Sequence, residues 1–242
     1  MRLSKSWDVT SKDFRMFLRK KNVITSMLAF PLVITFLLSY VVGFVAGRSA
    51  VAGLLALLPS FTFYYAIIAA LLPTTIASYS LVGEKMEKSL EPLLATPMTD
   101  DEILLGKGMA AFLPAMLATY LGASIFMVST DLLTRGAFGY YYFPNLGAGA
   151  ILLLLAPLSA VMSIEVNVMI SSRVSDVRVG QQLGFLTVFP MGAVYLAGEL
   201  GLISFDVITL SVVSGILLMV DVFLLFVTRT TFRRDEILTR WR

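Results

Sequence analysis

The 242 residues include no cysteine and no histidine, and only 14% of them are charged. Without cysteine there are no disulfides and no thiolate chemistry. Without histidine there is no haem–His ligation, no usual zinc site and no Ser-His-Asp arrangement. An intramembrane protease is left with an aspartyl dyad, and Asp221 has no evident mate. Soluble domains average roughly 25% charge, so too little polar surface remains to cover a water-soluble globule. What is plentiful is apolar: 57% of the residues are hydrophobic and the mean hydropathy is +0.84. A helix crossing the hydrocarbon core takes about 20 apolar residues at about 1.5 Å each. The composition therefore provides for about six such helices and little else.

Windows free of charge place the spans. None occurs between Lys21 and Arg48, which gives a first span at Val23–Ala46. That run of about 24 apolar residues is longer than a signal-peptide core, and the small-residue cleavage signal is poor, so it is read as a retained span. The next charge after Arg48 is Glu84. This window is too long for one upright helix and predicts a short outer loop around Gly53, then a second span at Pro59–Leu81 kinked at Pro73. A third span is expected over Ile103–Val128, with Lys107 near its start. A fourth lies in the window 136–164, after the cluster Tyr140, Tyr141, Tyr142 and Phe143, which reads as an outer aromatic belt. Val179–Gly198 is the fifth. The sixth, Val207–Thr228, is interrupted by Asp221. The expected fold class is all-α: a polytopic membrane protein with six transmembrane helices, in one domain over residues 1–242 without internal repeat or linker.

Lysine and arginine set the orientation. If the spans alternate, 17 of the 19 fall on one side: seven in 1–21, three in 84–107, two in 165–178 and five in the tail. Only Arg48 and Arg135 fall on the other. The positive-inside rule then puts both termini and the two larger polar loops in the cytoplasm. The net charge of +3 is thereby spent on topology, and no basic face remains for nucleic acid.

Before the first span, Trp7, Phe14, Phe17, Leu18 and Lys21 recur at helical spacing, while Lys12, Asp13, Arg15 and Arg19 point elsewhere. Residues 1–21 are expected to form an amphipathic interfacial helix, its aromatics dipping into membrane lipids and its basic residues meeting phosphates.

The first cytoplasmic loop, residues 84–102, carries the most information. Glu84, Lys88 and Glu91 fall at i, i+4 and i+7, so the second span should leave the membrane as a helix. Pro92 disfavours helix at Glu91 and stops it. A short helix carrying Leu93 and Leu94 can start with Pro92 in its first turn and end before Pro97. Thr99 followed by Asp100, Asp101 and Glu102 forms a capping box at the start of the third span; as a metal site this acidic run is the weaker reading. Leu90, Leu93 and Leu94 have no core of their own to enter, which suggests a docking knob for another protein.

These residues also carry a resemblance. Glu84 and Glu87, then Leu90, Glu91, Leu93, Leu94, Thr96 and Pro97, then Ile103, Leu104, Gly106 and Lys107 resemble the loop signature of ATP-binding cassette (ABC) transporter permeases of the type-2 exporter class. Lys88–Ser89 stands where many members have Gly-Thr. The six-span layout, the interfacial helix and the second loop, Ser171–Gly184 with Arg173, Asp176 and Arg178, are similar to that family too, especially its sodium-efflux-like branch. The resemblance implies two permease copies, a homodimer, with two ATPase chains that hold ATP and Mg and receive the first loop in a groove. No phosphate-binding G-x-x-x-x-G-K-[ST] occurs here; Gly83–Ser89 lacks the second glycine. The chain is expected to bind no cofactor and to be no enzyme itself. Relatives of this fold handle drugs, lipids, peptides, polysaccharide precursors and cations.

Intramembrane polar residues are the remaining candidates: Asp221 inside the last span, Glu165 and Asn167 toward the end of the fourth, and Glu199 at the outer end of the fifth. A charge at such depth marks a pathway or a partner. Glu165 is expected to pair with Arg173 or Arg178. Asp221 is open to a substrate or cation role as well as to packing. The alternative function is a secondary transporter or ion channel relaying ions through these carboxylates; the absence of inverted repeats and broken helices weighs against it.

Overall fold

The computed structural model describes residues 3–19, 21–47, 51–86, 99–174 and 176–231, and among them the regular structure is all helix, without strands. Helix α1 (Leu3–Arg19) precedes α2 (Lys21–Ala46), α3 (Val51–Met86) and α4 (Asp100–Phe138). A short α5 (Leu146–Ala150) passes through one π turn (Ile151–Leu155) into α6 (Ala156–Arg173). Then come α7 (Val177–Gly184), a 3-10 turn (Phe185–Thr187), α8 (Val188–Glu199) and α9 (Val207–Thr231). Among the described residues, five stretches are long and apolar enough to cross a membrane: Met27–Ala46, Ala52–Ala77, Asp100–Phe138, Leu146–Ser171 and Val207–Arg229.

Helix α3 is the central post. One face enters a cluster with α2 and α4, built on Leu58, Tyr65, Leu72, Ala115 and Phe126. The other enters a second cluster with α6, α8 and α9, built on Phe63, Ala66, Ala70, Met162, Met191 and Leu217. A helix apolar on all sides is a buried one. Small residues and hydroxyls join it to its neighbours, as lipid-embedded bundles require. The Tyr65 and Thr35 hydroxyls lie 2.7 Å apart, and Thr35 donates to the Gly122 carbonyl at 3.1 Å. A Cβ at Gly122 would stand 3.2 Å from Pro31, so the glycine is what lets α2 approach α4.

Two expectations fail here. Gly53 is not in a loop but inside α3. A glycine costs a helix only about 1 kcal/mol, and burial of the neighbouring Leu54 and Leu58 outweighs that. The fifth span is not one helix but α7, a 3-10 turn and α8, and the expectation of unbroken helices fails with it. The cause is Pro190: its ring opposes the carbonyl four residues back, Leu186, and its missing N–H leaves that carbonyl unserved, so the backbone tightens at 185–187. Pro157 has the same effect on the fourth span, where the turn widens instead. The Leu152 carbonyl accepts a hydrogen bond from the Tyr120 hydroxyl at 3.1 Å. Helix α3, by contrast, runs through both Pro59 and Pro73 as one element.

The aromatic cluster after α4 is held by its end. Asp131 accepts from the backbone N–H of Tyr142 at 2.9 Å and of Phe143 at 3.0 Å. Phe143 is buried edge-on against Phe126, and Arg135 lies 5.2 Å over the Tyr141 ring. Asp206 begins α9, and a 2.6 Å hydrogen bond from Ser204 holds its carboxyl below the usual carboxylate range.

Candidate functional site

The described structure brings the sequence-predicted residues together in three places. The first is the start of α4. Thr99 caps it: the hydroxyl accepts from Glu102 N–H at 3.3 Å, and the Glu102 carboxylate accepts from Thr99 N–H at 3.1 Å. Helix α1 is fastened one turn further on. Thr10 donates to the Gly106 carbonyl at 3.0 Å, and Lys107 lies 3.7 Å from Asp13, with side chains 1% and 4% exposed. This corrects the placing of Asp13 on the solvated side. The packed face of α1 is Ser6, Val9, Thr10 and Asp13, and Trp7 is exposed on the other side. Size and hydrogen bonding to α4 decide that face, not hydropathy.

Gly106 makes this approach possible, since a Cβ there would stand 2.8 Å from both the Ser6 carbonyl oxygen and the Val9 Cβ. Gly106→Ala should therefore push α1 off α4 and cost about 1–3 kcal/mol, read as a lower melting midpoint in detergent. Gly108→Ala, whose Cβ would meet only Ile164 at 3.6 Å, should change little. Of the predicted coupling residues, Glu84 stands near the end of α3; Glu87, Leu90, Glu91, Leu93, Leu94, Thr96 and Pro97 lie outside the described residues.

The second place is the segment Ser171–Gly184, which is largely helix α7. Asp176 caps it, accepting from Arg178 N–H at 2.8 Å. Arg173, Asp176 and Arg178 are exposed. Behind them Asn167 is fully buried, donating to the Ser163 carbonyl at 2.7 Å and to Thr74 at 3.4 Å. Thr74 and Ser163 are 3.0 Å apart, and Thr187 reaches Ser163 at 3.3 Å. Ser163, which Thr74, Asn167 and Thr187 all reach, therefore ties α3, α6 and the 3-10 turn together.

The third place is a groove of about 290 Å³ between the first part of α4, α6 and the last part of α9, with Glu165 and Thr228 in its wall. Asp101 and Arg229 pair at 3.1 Å along it, both half-exposed. Glu165 pairs with neither Arg173 nor Arg178 among the described residues, contrary to expectation. Arg173 is eight residues further along α6, about 12 Å away by helical rise, too far for an ion pair. Asp221 is buried on the face of α9 that packs against α6. Sequence reading named both carboxylates but missed Thr228; its position seven residues after Asp221, on one helical face, was the available signal.

No group of three or more metal-ligating side chains occurs among the described residues.

Comparison with known proteins agrees with this architecture. The family described as ABC-2 family transporter protein matches residues 7–200, from α1 to just past α8. The chain is also 32% identical over 122 residues to the ABC transporter permease protein NatB of Bacillus subtilis (strain 168), across 48% of this chain and 32% of that protein. The chain spans about a third of the length of that curated relative. With long apolar helices that suit a multi-pass protein of the cell membrane, and with a family match over four-fifths of its length, the chain belongs to the ABC-2 family of transporter membrane proteins.

Proposed function

We propose that the chain is the permease subunit of an ATP-driven exporter, working as a homodimer with a separate ATPase that holds ATP and Mg. It crosses the membrane six times, the interrupted α7–α8 segment serving as the fifth span, with both termini cytoplasmic. The exposed Trp7 face of α1 lies against inner-leaflet lipid. The loop 84–102 seats in the ATPase, and the chain itself performs no catalysis.

The observation that carries this reading is the fastening of α1 to α4 at Gly106 and Lys107, directly beyond the loop. Helices α3 and α4 have 36 and 39 residues. At about 1.5 Å per residue each exceeds a hydrocarbon core of about 30 Å. Both therefore project past the membrane where the loop joins them, and a push on the loop moves α4 and α1 as one body. The NatB relative is named a permease protein, in agreement with a subunit that leaves ATP to another chain.

Co-expression with ABC ATPases encoded beside it should yield a complex whose ATP hydrolysis drives cargo across vesicle membranes. Topology is tested separately in this cysteine-free chain. Single cysteines at Arg48, Arg135 and Ser204 should react with an impermeant thiol reagent from outside, and those at Thr96 and Arg240 only after permeabilisation. Outside labelling at Thr96 would invert the orientation.

A further inference from the structure

Glu165, Asp221 and Thr228 are only 8%, 4% and 7% exposed. Glu165 Oε2, both Asp221 carboxylate oxygens and the Thr228 hydroxyl have no hydrogen-bond partner among the described residues. Buried polar atoms are nearly always satisfied, so four orphaned oxygens in one helix interface call for an occupant. Asp221 stands one turn from Leu225 and two from Thr228 on the same face of α9, and Leu225, Thr228 and Glu165 all line the groove.

Among the described residues, the nearby cations are committed elsewhere or stand away from the groove. Arg229 is paired with Asp101, Lys107 with Asp13, and Arg173 is exposed near the end of α6. The rest of the wall is apolar, with Leu104, Met109 and Phe112 from α4 facing Ile164 and Leu225. A hard metal ion takes about six or more oxygens, and this wall offers too few. An ammonium group on an apolar body satisfies both halves of it. The carboxylates meet the charge, Phe112 supplies an aromatic face for the cation, and the aliphatic side chains take the body.

We infer that the inner groove between α4, α6 and α9 binds an amphiphilic organic cation, with Glu165 and Asp221 as its anionic end. The site deepens the proposed transport function and rests on that reading for its purpose. Part of it lies on α9, beyond the residues matched by the family.

Binding is measured on the full chain in nanodiscs of neutral lipid, without any ATPase, using radiolabelled benzyltrimethylammonium. Phenylmethanesulfonate serves as the anion of similar size and ²²Na⁺ as the inorganic cation. Saturable binding of the ammonium alone is expected, at least tenfold weaker in Glu165→Gln and in Asp221→Asn. Leu225→Trp, which fills the groove and leaves the carboxylates untouched, should abolish it; melting curves confirm that each variant is folded. Three results overturn the inference: no saturable ammonium binding by the wild type, equal binding by the carboxamide variants, or saturable ²²Na⁺ binding that those variants lose. A chain that binds the ammonium but joins no ATPase keeps the site and refutes the coupling, and the reverse outcome does the opposite.

Discussion

Leu90→Asp combined with Leu94→Asp should release the ATPase from the purified complex and abolish ATP-dependent transport, while the chain remains inserted in the membrane. In the sequence the two leucines flank Pro92 in a stretch closed by Pro97, and prolines restrict the backbone on either side of them. Binding free energy at protein interfaces concentrates on a few apolar anchors, at about 2 kcal/mol or more each. Losing two of them removes about 4 kcal/mol, roughly a thousandfold in Kd, and a buried aspartate without a partner weakens the contact further. The measurement is co-purification of the two chains, followed by ATP-driven uptake in inverted vesicles. A double mutant that retains its ATPase and transports at the wild-type rate would remove the coupling role and return the chain to the secondary-transporter or channel reading.

The second large effect is expected at the junction of α1 and α4. Lys107→Met removes the cation that lies 3.7 Å from the Asp13 carboxylate, itself 4% exposed. Breaking a buried pair from one side costs about 3–5 kcal/mol, whereas replacing both partners with apolar residues of similar volume is often neutral. Lys107→Met should thus lower the melting midpoint sharply and expose α1 to protease. Asp13→Leu with Lys107→Met should recover most of the loss. If the single mutant melts like the wild type, the pair does not hold α1. Should the double mutant be stable and bind ATPase yet transport poorly, the charges themselves contribute to coupling.

The spans were legible because charge-free apolar runs leave a helix no other solvent, and the capping box at Thr99 because its residue types have few other uses at that spacing. Asp13 was not. Its face carries Ser6, Val9 and Thr10, a stripe of small and polar residues that hydropathy assigns to water, and only the facing Gly106 reveals it as a packing surface. Glu165 was misassigned for a related reason: the nearest arginines in sequence are two turns away on the helix, while its true neighbours come from α4 and α9, more than 50 residues distant. The break at 185–187 was present in principle, since Pro190 acts on the residue four before it. Whether such a proline is absorbed, as at Pro73, or breaks the helix depends on packing that the sequence does not spell out.

The π turn at Ile151–Leu155 has a consequence for everything beyond it. Such a turn carries one residue more than a regular turn, and each residue of an α-helix is worth about 100° of rotation. The inner half of this span is therefore turned by about that angle from where a wheel drawn straight from Leu146 would put it. That rotation aims Glu165 at α9 and Asn167 at α3. Deleting a single leucine from the run 152–155 would work like slipping one tooth on a gear: the half before it would stay seated, and the carboxylate and the amide would each turn about 100° away from the partners they face.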